Sequence, residues 1–451
     1  MDSDEESSEN EIEMEMEIPQ SVIQNMVQEL LNDPDFLDAS DLFPIQGKKK
    51  DTYLNKIGNR KRKRLEELET RLLKKIKPDK PLKYKILESN ISEDLKTQIL
   101  EKIKNYETLS KSTGEYQKMT KYMRGLEKIP FGTYTKLPVS YKSDDKKIKN
   151  FFSKLRNDLT SCTFGQDKAK STILEIAAKW ITNPSANGNV IGLCGPPGIG
   201  KTSLIKNGLA KSLNVPFSFV GLGGATCSAY LQGHDFTYEG SKWGRLIEIL
   251  MESQTMNPII FFDELDKVSD TKHGDEIIGI LTHLTDPTQN NTYSDKYFSG
   301  IDFDFSKCLF IFSFNDERKI NPVLKDRIKV IKLEGFKTDQ KVEIATRFSI
   351  SKICKNVGFK QKDLIFPKET LRFIAFTYCP EQGVRQLEKC IETIVMKLNL
   401  YSITNDISCL NVKGEESLKK PYHITVKLAA SLLDPIFKRE EISISCQMMY
   451  T

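Results

Sequence analysis

The ten residues from Cys194 to Ser203, CGPPGIGKTS, combine glycines with a lysine and a threonine at the spacing of a phosphate-binding loop. In such a loop the backbone amides point at phosphate oxygens, Lys201 reaches the outer phosphoryl group, and the hydroxyl of Thr202 ligates Mg²⁺. An apolar run at 190–193 precedes the loop as a strand would, and apolar residues follow at helical spacing, which places the phosphates at a helix N-terminus. The motif predicts a nucleoside triphosphate site. Its predicted binding residues are Gly195, Pro196, Pro197, Gly198, Ile199, Gly200, Lys201 and Thr202.

Two adjacent carboxylates follow a second apolar run in the stretch NPIIFFDELDK. Asp263 comes directly after the predicted strand 259–262, and Glu264 comes next. An acid at the end of such a strand typically holds Mg²⁺ through water, and a second acid can polarise the water that attacks a phosphate in line. We therefore expect Asp263 to share a metal site with Thr202, and Glu264 to be catalytic.

Three further polar residues stand where they could act on the same phosphate. Asn315 ends a third buried strand, CLFIFSFN, and its amide is suited to orienting the attacking water. Arg327, in LKDRIKV, could reach the nucleotide of a neighbouring subunit, or it is an ordinary surface arginine. Arg385, in EQGVRQLEK at a predicted helix start, could touch the γ-phosphate or lie in solvent.

Seven segments of the chain, in order, resemble the AAA+ module of Lon-type ATP-dependent proteases. The resemblance extends over about residues 82–435 and includes a helical stretch before the motor, where EKIPFGTY is similar to the family's turn into the ATPase. A chance phosphate-binding motif would not be accompanied by the other segments in this order, so the combined pattern is specific for the family. The segments are GPPGIGKTSL, GHDFTYEGSKWGRLIE, NPIIFFDELDK, GDEIIGILTHLTDPTQN, FDFSKCLFIFSFN, NPVLKDRIKVIKLEGF and GVRQLEKCI.

The resemblance implies an assembly and a set of roles. The expected assembly is a ring, a homo-hexamer that uses ATP and Mg²⁺, with the nucleotides bound at subunit interfaces. The implied roles are Walker A for Lys201 and Thr202, Walker B for Asp263 and Glu264, sensor 1 for Asn315, arginine finger in trans for Arg327, and sensor 2 for Arg385.

The expected fold class is α/β: a three-layer αβα AAA+ P-loop domain with a parallel sheet, a small C-terminal helical domain and an N-terminal helical arm. The predicted divisions are an acidic disordered tail (1–20), an amphipathic helix, basic cluster and helix (21–81), a helical arm and linker (82–158), the α/β ATPase domain (159–337), the helical lid (338–440) and a short tail (441–451).

Composition sets the cellular context. The chain has 451 residues, 39% of them hydrophobic, and contains no apolar run of membrane-spanning length, so we expect an intracellular protein with no membrane partner. Its nine cysteines form no CxxC pair, which favours reduced thiols. The basic cluster from Arg60 to Arg64 is a nuclear-import signal, a nucleic-acid contact or a solvated helix start. Cytoplasm and nucleus both stay open.

A glycine-flanked loop takes the place where Lon-type motors grip extended polypeptide with an aromatic and an aliphatic residue. Here Tyr238 and Glu239 occupy those two positions, so the aromatic residue is kept and its partner is charged. Asp235 and Phe236 replace a basic pair of the family, and the acidic residues weaken the case for threading a polyanion. Tyr238 is predicted as a substrate-gripping residue, with plain packing as the alternative.

The function that we expect follows from the resemblance and its departures. Only a short tail remains after Leu433, and no serine–lysine dyad can be assigned, so the chain resembles the motor without the peptidase. We expect an ATP-driven machine that remodels or unfolds proteins without cutting them, and that could work with a separate peptidase or adaptor. The alternatives are a nucleic-acid-associated ATPase recruited through the basic cluster and a nucleotide-gated scaffold with negligible turnover.

Overall fold

A computed structural model describes most of the chain from residue 58 onward. The chain divides into two compact units, Met1–Lys80 and Pro81–Thr451. The acidic tail, the amphipathic helix at 21–31 and the C-terminal tail predicted from the sequence lie outside the described residues. Those that the structure describes are 58–75, 80–183, 189–224, 227–268, 271–406, 410 and 420–433.

In the first unit, helix α1 spans Asn59–Lys75 and begins with the basic cluster. The helix forms where leucines recur at helical spacing, as predicted. Its Leu65 and Leu68 are both more than one third exposed.

In the second unit, we call the first three helices that the structure describes the arm. They are α2 (Leu82–Glu88), α3 (Glu93–Thr108) and α4 (Gly114–Lys128). The hydroxyls of Ser92 and Thr113 accept hydrogen bonds from backbone amides at the starts of α3 and α4, which explains where both helices begin. The apolar face of the arm joins the same cluster as one face of the sheet. Its buried residues include Ile86, Ile99, Ile103, Tyr122, Met123 and Leu126.

The sheet has five parallel strands in the order β2-β3-β6-β1-β7. Its strands are near-continuous apolar runs because helices cover both faces. Phe262 and Phe310 face one apolar cluster, whereas Phe261 and Ile311 face the other, which confirms the three-layer α/β fold. The strands of the second unit before the lid are β1 (Asn189–Cys194), β2 (Phe217–Gly221), β3 (Ile259–Asp263), β4 (Tyr293–Ser294), β5 (Asp302–Phe303), β6 (Leu309–Phe314) and β7 (Lys329–Lys332).

Seven helices accompany this sheet. The helix after the phosphate-binding loop contains a π-helical stretch, Leu204–Ala210, which hydrophobic periodicity did not predict. Gly208 lies in that stretch, and a Cβ there would come within 2.7 Å of the side chain of Leu159. The helices are α5 (Asp145–Cys162), α6 (Asp167–Thr182), α7 (201–213), α8 (Ala229–Gln232), α9 (Arg245–Ser253), α10 (Lys272–Thr285) and α11 (Pro322–Asp326).

The C-terminal region is mainly helical and has its own apolar cluster, as expected for a lid. A 20-residue helix starts at Arg385, and its inward face contributes to the cluster together with the other helices of the region. The region also contains two short strands that pair in parallel. Its elements are α12 (338–357), β8 (Leu364–Ile365), α13 (Lys368–Tyr378), α14 (Arg385–Thr404), β9 (Tyr422–His423) and α15 (Val426–Leu433).

In the segment DPTQNNTYSDKYFSG, buried residues alternate with exposed ones from Thr292 to Tyr297. Tyr293, Tyr297 and Phe298 are each at most 2% exposed, because their rings pack against the arm and its neighbours. Asp295 is also buried, and its carboxylate accepts hydrogen bonds from the backbone amides of Gly244, Tyr297 and Phe298. Ser294 and Lys296 between these residues are exposed, so the segment is a loop held in place by its buried side chains.

Two general findings complete the fold. None of the helices in the described part of the chain is long and apolar enough to cross a membrane. The seven cysteines within the described ranges are all free thiols, as predicted, and four of them are buried.

The buried carboxyl of Asp295 predicts a pH dependence of stability. Burial raises the pKa of Asp295 to about 6 in the folded protein, although the backbone amides oppose that shift. In the unfolded chain this group titrates at about 3.9, so its favourable contribution is complete below that pH and is lost as pH rises through about 6. The unfolding free energy of the native chain relative to Asp295→Asn should therefore fall by roughly 2 kcal/mol between pH 4 and 7.

Urea denaturation of both proteins across this range measures the difference, and it cancels the titration of other groups. A difference that stays constant with pH would contradict the prediction.

Candidate nucleotide-binding site

The phosphate-binding loop connects the carboxyl end of β1 to α7. Gly198 and Gly200 have φ angles of 76° and 91°, which side-chain-bearing residues rarely adopt, so glycine is required for this turn. Gly195 lies against β7, where a Cβ would come within 2.6 Å of the carbonyl oxygen of Leu333. Ile199 is buried beneath the turn. The loop is therefore narrow and exposes backbone, as a phosphate cradle does.

Lys201 joins the loop to the neighbouring strand. Its ammonium Nζ donates hydrogen bonds to Gly195 O at 2.6 Å, to Phe314 O at 3.2 Å and to Asn315 Oδ1 at 2.6 Å. Burial lowers the pKa of Lys201, while the nearby carboxylates of Asp263 and Asp266 oppose that shift. The structure thus brings the predicted Walker A lysine and the predicted sensor asparagine into direct contact.

Asp263 and Glu264 lie at the end of β3, as predicted. The carbonyl of Asp263 accepts a hydrogen bond from Leu222 at 2.9 Å, which continues the pairing with β2. Glu264 has a φ of 60°, an uncommon conformation for a residue with a side chain, and this turn sends its carboxylate across the end of β2. A Cβ on Gly223 would lie 2.0 Å from Glu264 Oε2. Gly223 therefore provides the space for the predicted catalytic carboxylate, a role that the sequence analysis did not identify.

Asp266 is a second residue that the sequence analysis missed. Its Oδ2 accepts hydrogen bonds from the backbone amides of Asn315 at 3.2 Å and Asp316 at 3.3 Å. Its other oxygen, Oδ1, is buried and has no hydrogen-bond partner among the described residues. Asp266 therefore holds the backbone that carries Asn315. The third acid of the DELDK motif was the signal that could have revealed it.

The start of α14 packs directly on the phosphate-binding loop. Val384 N donates to Gly198 O at 3.1 Å, and a Cβ on Gly383 would come within 2.1 Å of Pro197 O. Arg385 is the next residue, and a Cβ on Gly198 would come within 3.0 Å of the Cβ of Arg385. Its positive charge is near enough to Lys201 to contribute to the lowered pKa of the lysine. Arg385 thus lies beside the predicted phosphates, and the lid touches the loop through backbone.

Arg327 lies apart from this group. It follows α11, and its Nη1 donates to Thr282 O at 2.7 Å and pairs with Asp286 Oδ2 at 3.0 Å. Hydrogen bonds from Thr288, reinforced by the charge of Arg327, keep the pKa of Asp286 below its usual value. A surface concavity of about 440 Å³ includes Arg327, Thr282 and His283 in its lining. Arg327 is therefore presented on a face formed by α10 and α11.

Tyr238 and Glu239 also lie away from Lys201, at the tip of the loop after α8. The side chain of Tyr238 is 69% exposed, and Glu239 is exposed as well. The alternative, a packing residue, would require burial, which the structure does not show for Tyr238. Its gripping role stays a prediction.

Comparison with known proteins places this geometry in a class. Residues 191–334 match the family model of the ATPases associated with various cellular activities, known as AAA. The chain therefore contains an AAA+ nucleotide-binding domain. Residues 355–406 match the model of the Lon protease AAA+ ATPase lid domain. The module is thus of Lon type, as the resemblance predicted.

Individual relatives support the same module. The chain is 37% identical over 316 residues to a Lon protease homolog of Acanthamoeba polyphaga mimivirus, covering 69% of this chain and 30% of that protein. It is 34% identical over 314 residues to the Lon protease of Porphyromonas gingivalis, covering 70% and 36%. It is 34% identical over 310 residues to the mitochondrial Lon protease homolog 1 of Dictyostelium discoideum, covering 69% and 31%. The chain spans about a third of the length of these relatives.

The residues present fit a nucleotide together with Mg²⁺. The described residues contain no group of three or more His, Cys, Asp or Glu side chains arranged to hold a metal by themselves. Mg²⁺ commonly binds through one or two protein oxygens and completes its shell with phosphate and water. The oxygens of Thr202 and Asp263, beside a loop shaped for phosphates, suit that mode of binding.

The position of Glu264 predicts a separation of binding from hydrolysis. In Glu264→Gln the charge that polarises water is lost while the phosphate-binding loop is unchanged. We expect steady-state ATP hydrolysis to fall by about 10²-fold or more. The affinity for a fluorescent ATP analogue should stay within a few-fold.

The exposed Glu175→Gln on α6 is the matched control and should hydrolyse ATP normally. Full hydrolysis by Glu264→Gln would remove this residue from the catalytic group.

Proposed function

We propose that this chain is an ATP-hydrolysing motor of Lon type that remodels or unfolds proteins and does not itself cut them. The observation that carries the proposal is the contact between Lys201 and Asn315 at the end of β6, within an AAA+ domain followed by a Lon-type lid. This contact is what a site that senses the outer phosphate requires. Neither matched family model describes a peptidase, and a separate peptidase or adaptor is a partner compatible with the proposal.

The proposed reaction is hydrolysis of ATP to ADP and phosphate. ATP would displace the carbonyl partners of Lys201, whose ammonium would then neutralise outer phosphoryl oxygens. Mg²⁺, held by Thr202 and Asp263, would supply further neutralisation of phosphate charge. Glu264 would polarise a water that Asn315 orients for in-line attack. Arg385, beside Gly198 of the loop, would bind the same phosphoryl group.

The position of Arg327 supports a site shared between subunits. Its guanidinium is held on the face of α10 and α11 and makes hydrogen bonds there, away from Lys201. An arginine that stabilises the transition state must reach the transferring phosphoryl group. A second copy of the chain, in a closed ring for which we propose a homo-hexamer, would receive Arg327 at its nucleotide.

Mixed assemblies of two inactive variants test the shared site. Lys201→Ala removes the phosphate contact, and Arg327→Ala should lower hydrolysis by about 10³-fold or more. When the two are co-expressed, roughly a quarter of the interfaces in a random ring pair an intact nucleotide site with an intact arginine, so activity should return. The readout is ATP hydrolysis by the purified mixture.

The exposed Lys329→Ala, near Arg327 in sequence, is the control and should remain active alone. Failure of the mixture to recover, despite proven co-assembly, would mean that Arg327 does not act in trans.

Tyr238 supports polypeptide as the substrate. A ring on an exposed loop can press on any extended chain without reading its sequence, and ATP-dependent motion would carry it. The acidic side chains Asp235 and Glu239 nearby are exposed, which disfavours a phosphate backbone at this tip.

One observation favours the alternative, a nucleic-acid-associated ATPase. The first turn of α1 carries Arg60 and Lys61 and no acidic residue. Positive charge at a helix N-terminus opposes the helix dipole and costs a few tenths of a kcal/mol, so Arg60 and Lys61 do not stabilise α1, whereas Arg62 pairs with Glu66 within the helix. The basic cluster would bind either nucleic acid or a nuclear-import receptor. Whether the protein is located in the cytoplasm or the nucleus would depend on which of the two it binds.

Client-stimulated ATP hydrolysis separates the two functions. Under the proposed function, a permanently unfolded protein such as reduced and carboxymethylated α-lactalbumin should raise the ATPase rate several-fold and emerge uncleaved. Tyr238→Ala should lose that stimulation because the loop no longer grips, while the exposed Tyr141→Ala should keep it.

Stimulation by DNA alone, lost at high salt and in a variant with neutral residues at 60–64, would establish the alternative. Cleavage of the unfolded protein would contradict the proposal that the chain does not cut.

A further inference from the structure

We propose that Phe236 is a positioning residue that fixes the loop of Tyr238 to helix α4, so that the arm sets where the tyrosine lies. This inference rests on the proposed function of Tyr238 as the residue that grips polypeptide. It adds a second role to the arm, which otherwise only covers one face of the sheet.

The loop is closed at its base by backbone contacts. His234 N donates to Lys242 O at 3.0 Å. Gly233 and Gly244 let the two stems approach, since a Cβ on Gly233 would come within 2.8 Å of Gly244 N. Gly244 N in turn donates to the buried carboxylate of Asp295. The base is therefore held, and what remains to be fixed is the tip.

Phe236 anchors the tip through its ring. It packs edge-on against Tyr122 of α4, with ring centroids 5.3 Å apart, and edge-on against Tyr297 at 5.5 Å. Tyr122 and Tyr297 are only 3% and 1% exposed, so the ring of Phe236 rests on a firm surface. Phe236 lies two residues before Tyr238, and its contacts leave little freedom to the backbone between them.

Two lysines of the same helix hold the loop on either side of Tyr238. Lys118 Nζ donates to Thr237 O at 3.3 Å, and Lys121 Nζ donates to Ser241 O at 2.6 Å. Both acceptors are backbone carbonyls, so these contacts constrain the path of the chain and do not merely pair charges. One face of α4 therefore contacts the loop through three side chains.

The packing of α4 on the α/β core is tight at the same place. A Cβ on Gly125 would approach a ring carbon of Phe298 to 2.8 Å and one of Trp243 to 3.2 Å. Trp243 follows the loop directly and stacks on Phe298. A shift of the helix at Gly125 would therefore disturb the stem that carries Trp243, and a shift at Tyr122 would disturb Phe236. A displacement of the arm would consequently move Tyr238.

Loss of the Phe236 anchor should weaken the grip of the loop. Phe236→Ala removes two aromatic contacts, and we expect the concentration of carboxymethylated α-lactalbumin that half-maximally stimulates ATP hydrolysis to rise about tenfold. Phe236→Tyr keeps the ring and should restore the native value. Lys118→Ala combined with Lys121→Ala should shift it in the same direction, whereas the exposed Lys128→Ala on α4 should not.

Hydrogen–deuterium exchange of the peptide covering 234–242 provides a readout that does not depend on a client. Phe236→Ala should speed exchange of the amides of Tyr238 and Ser241, which are hydrogen-bonded in the loop. Unchanged exchange and unchanged stimulation in Phe236→Ala would overturn the inference. If the native protein is not stimulated by polypeptide at all, the proposed function fails, and faster exchange would still establish the anchor.

Discussion

The site depends on a single buried cation, the ammonium of Lys201. It sits where β1 and β6 end side by side, with Cys194 opposite Phe314, and it bridges the two strand ends. Removing an isolated ammonium from water has a large unfavourable free energy, and hydrogen bonds to three oxygen atoms offset it. An incoming phosphate can take over these hydrogen bonds at little reorganisation. Displacement would leave Asn315 free to turn to a new partner, which makes the end of β6 responsive to what occupies the loop.

Contacts at glycine residues connect the phosphate-binding loop to the lid. Because Gly198 and Gly383 lack side chains, the backbone of the phosphate-binding loop meets the backbone before α14 within hydrogen-bonding distance. A side chain at either position would separate the two surfaces. We expect any movement of the loop to displace the start of α14 as well, and Arg385 lies at the point of contact. Short-range packing, not a long chain of side chains, couples the nucleotide site to the lid.

The parts that could be predicted from sequence were those encoded in local patterns. The strand, turn and helix around residues 194–203 and the acids after β3 follow from apolar runs and residue order, and the structure has them as expected. What could not be predicted depends on distant partners. Asp266 is a surface acid by sequence and becomes the support of Asn315 only when β3 and β6 pair. The burial of Asp295 could not be predicted because one of its hydrogen-bond donors, Gly244 N, lies in another segment of the chain.

The arginine-finger role proposed for Arg327 would require a second chain. Its guanidinium is 29% exposed and its partner Asp286 is 15% exposed, so the ion pair is only partly screened by water. Held there, the guanidinium loses side-chain freedom before any neighbour arrives, and less entropy remains to be lost on engaging a phosphate. The pair must nevertheless loosen if the arginine is to bind a more negative partner. A triphosphate at a subunit interface carries that charge, which would make closure of the interface and occupancy of the site mutually dependent.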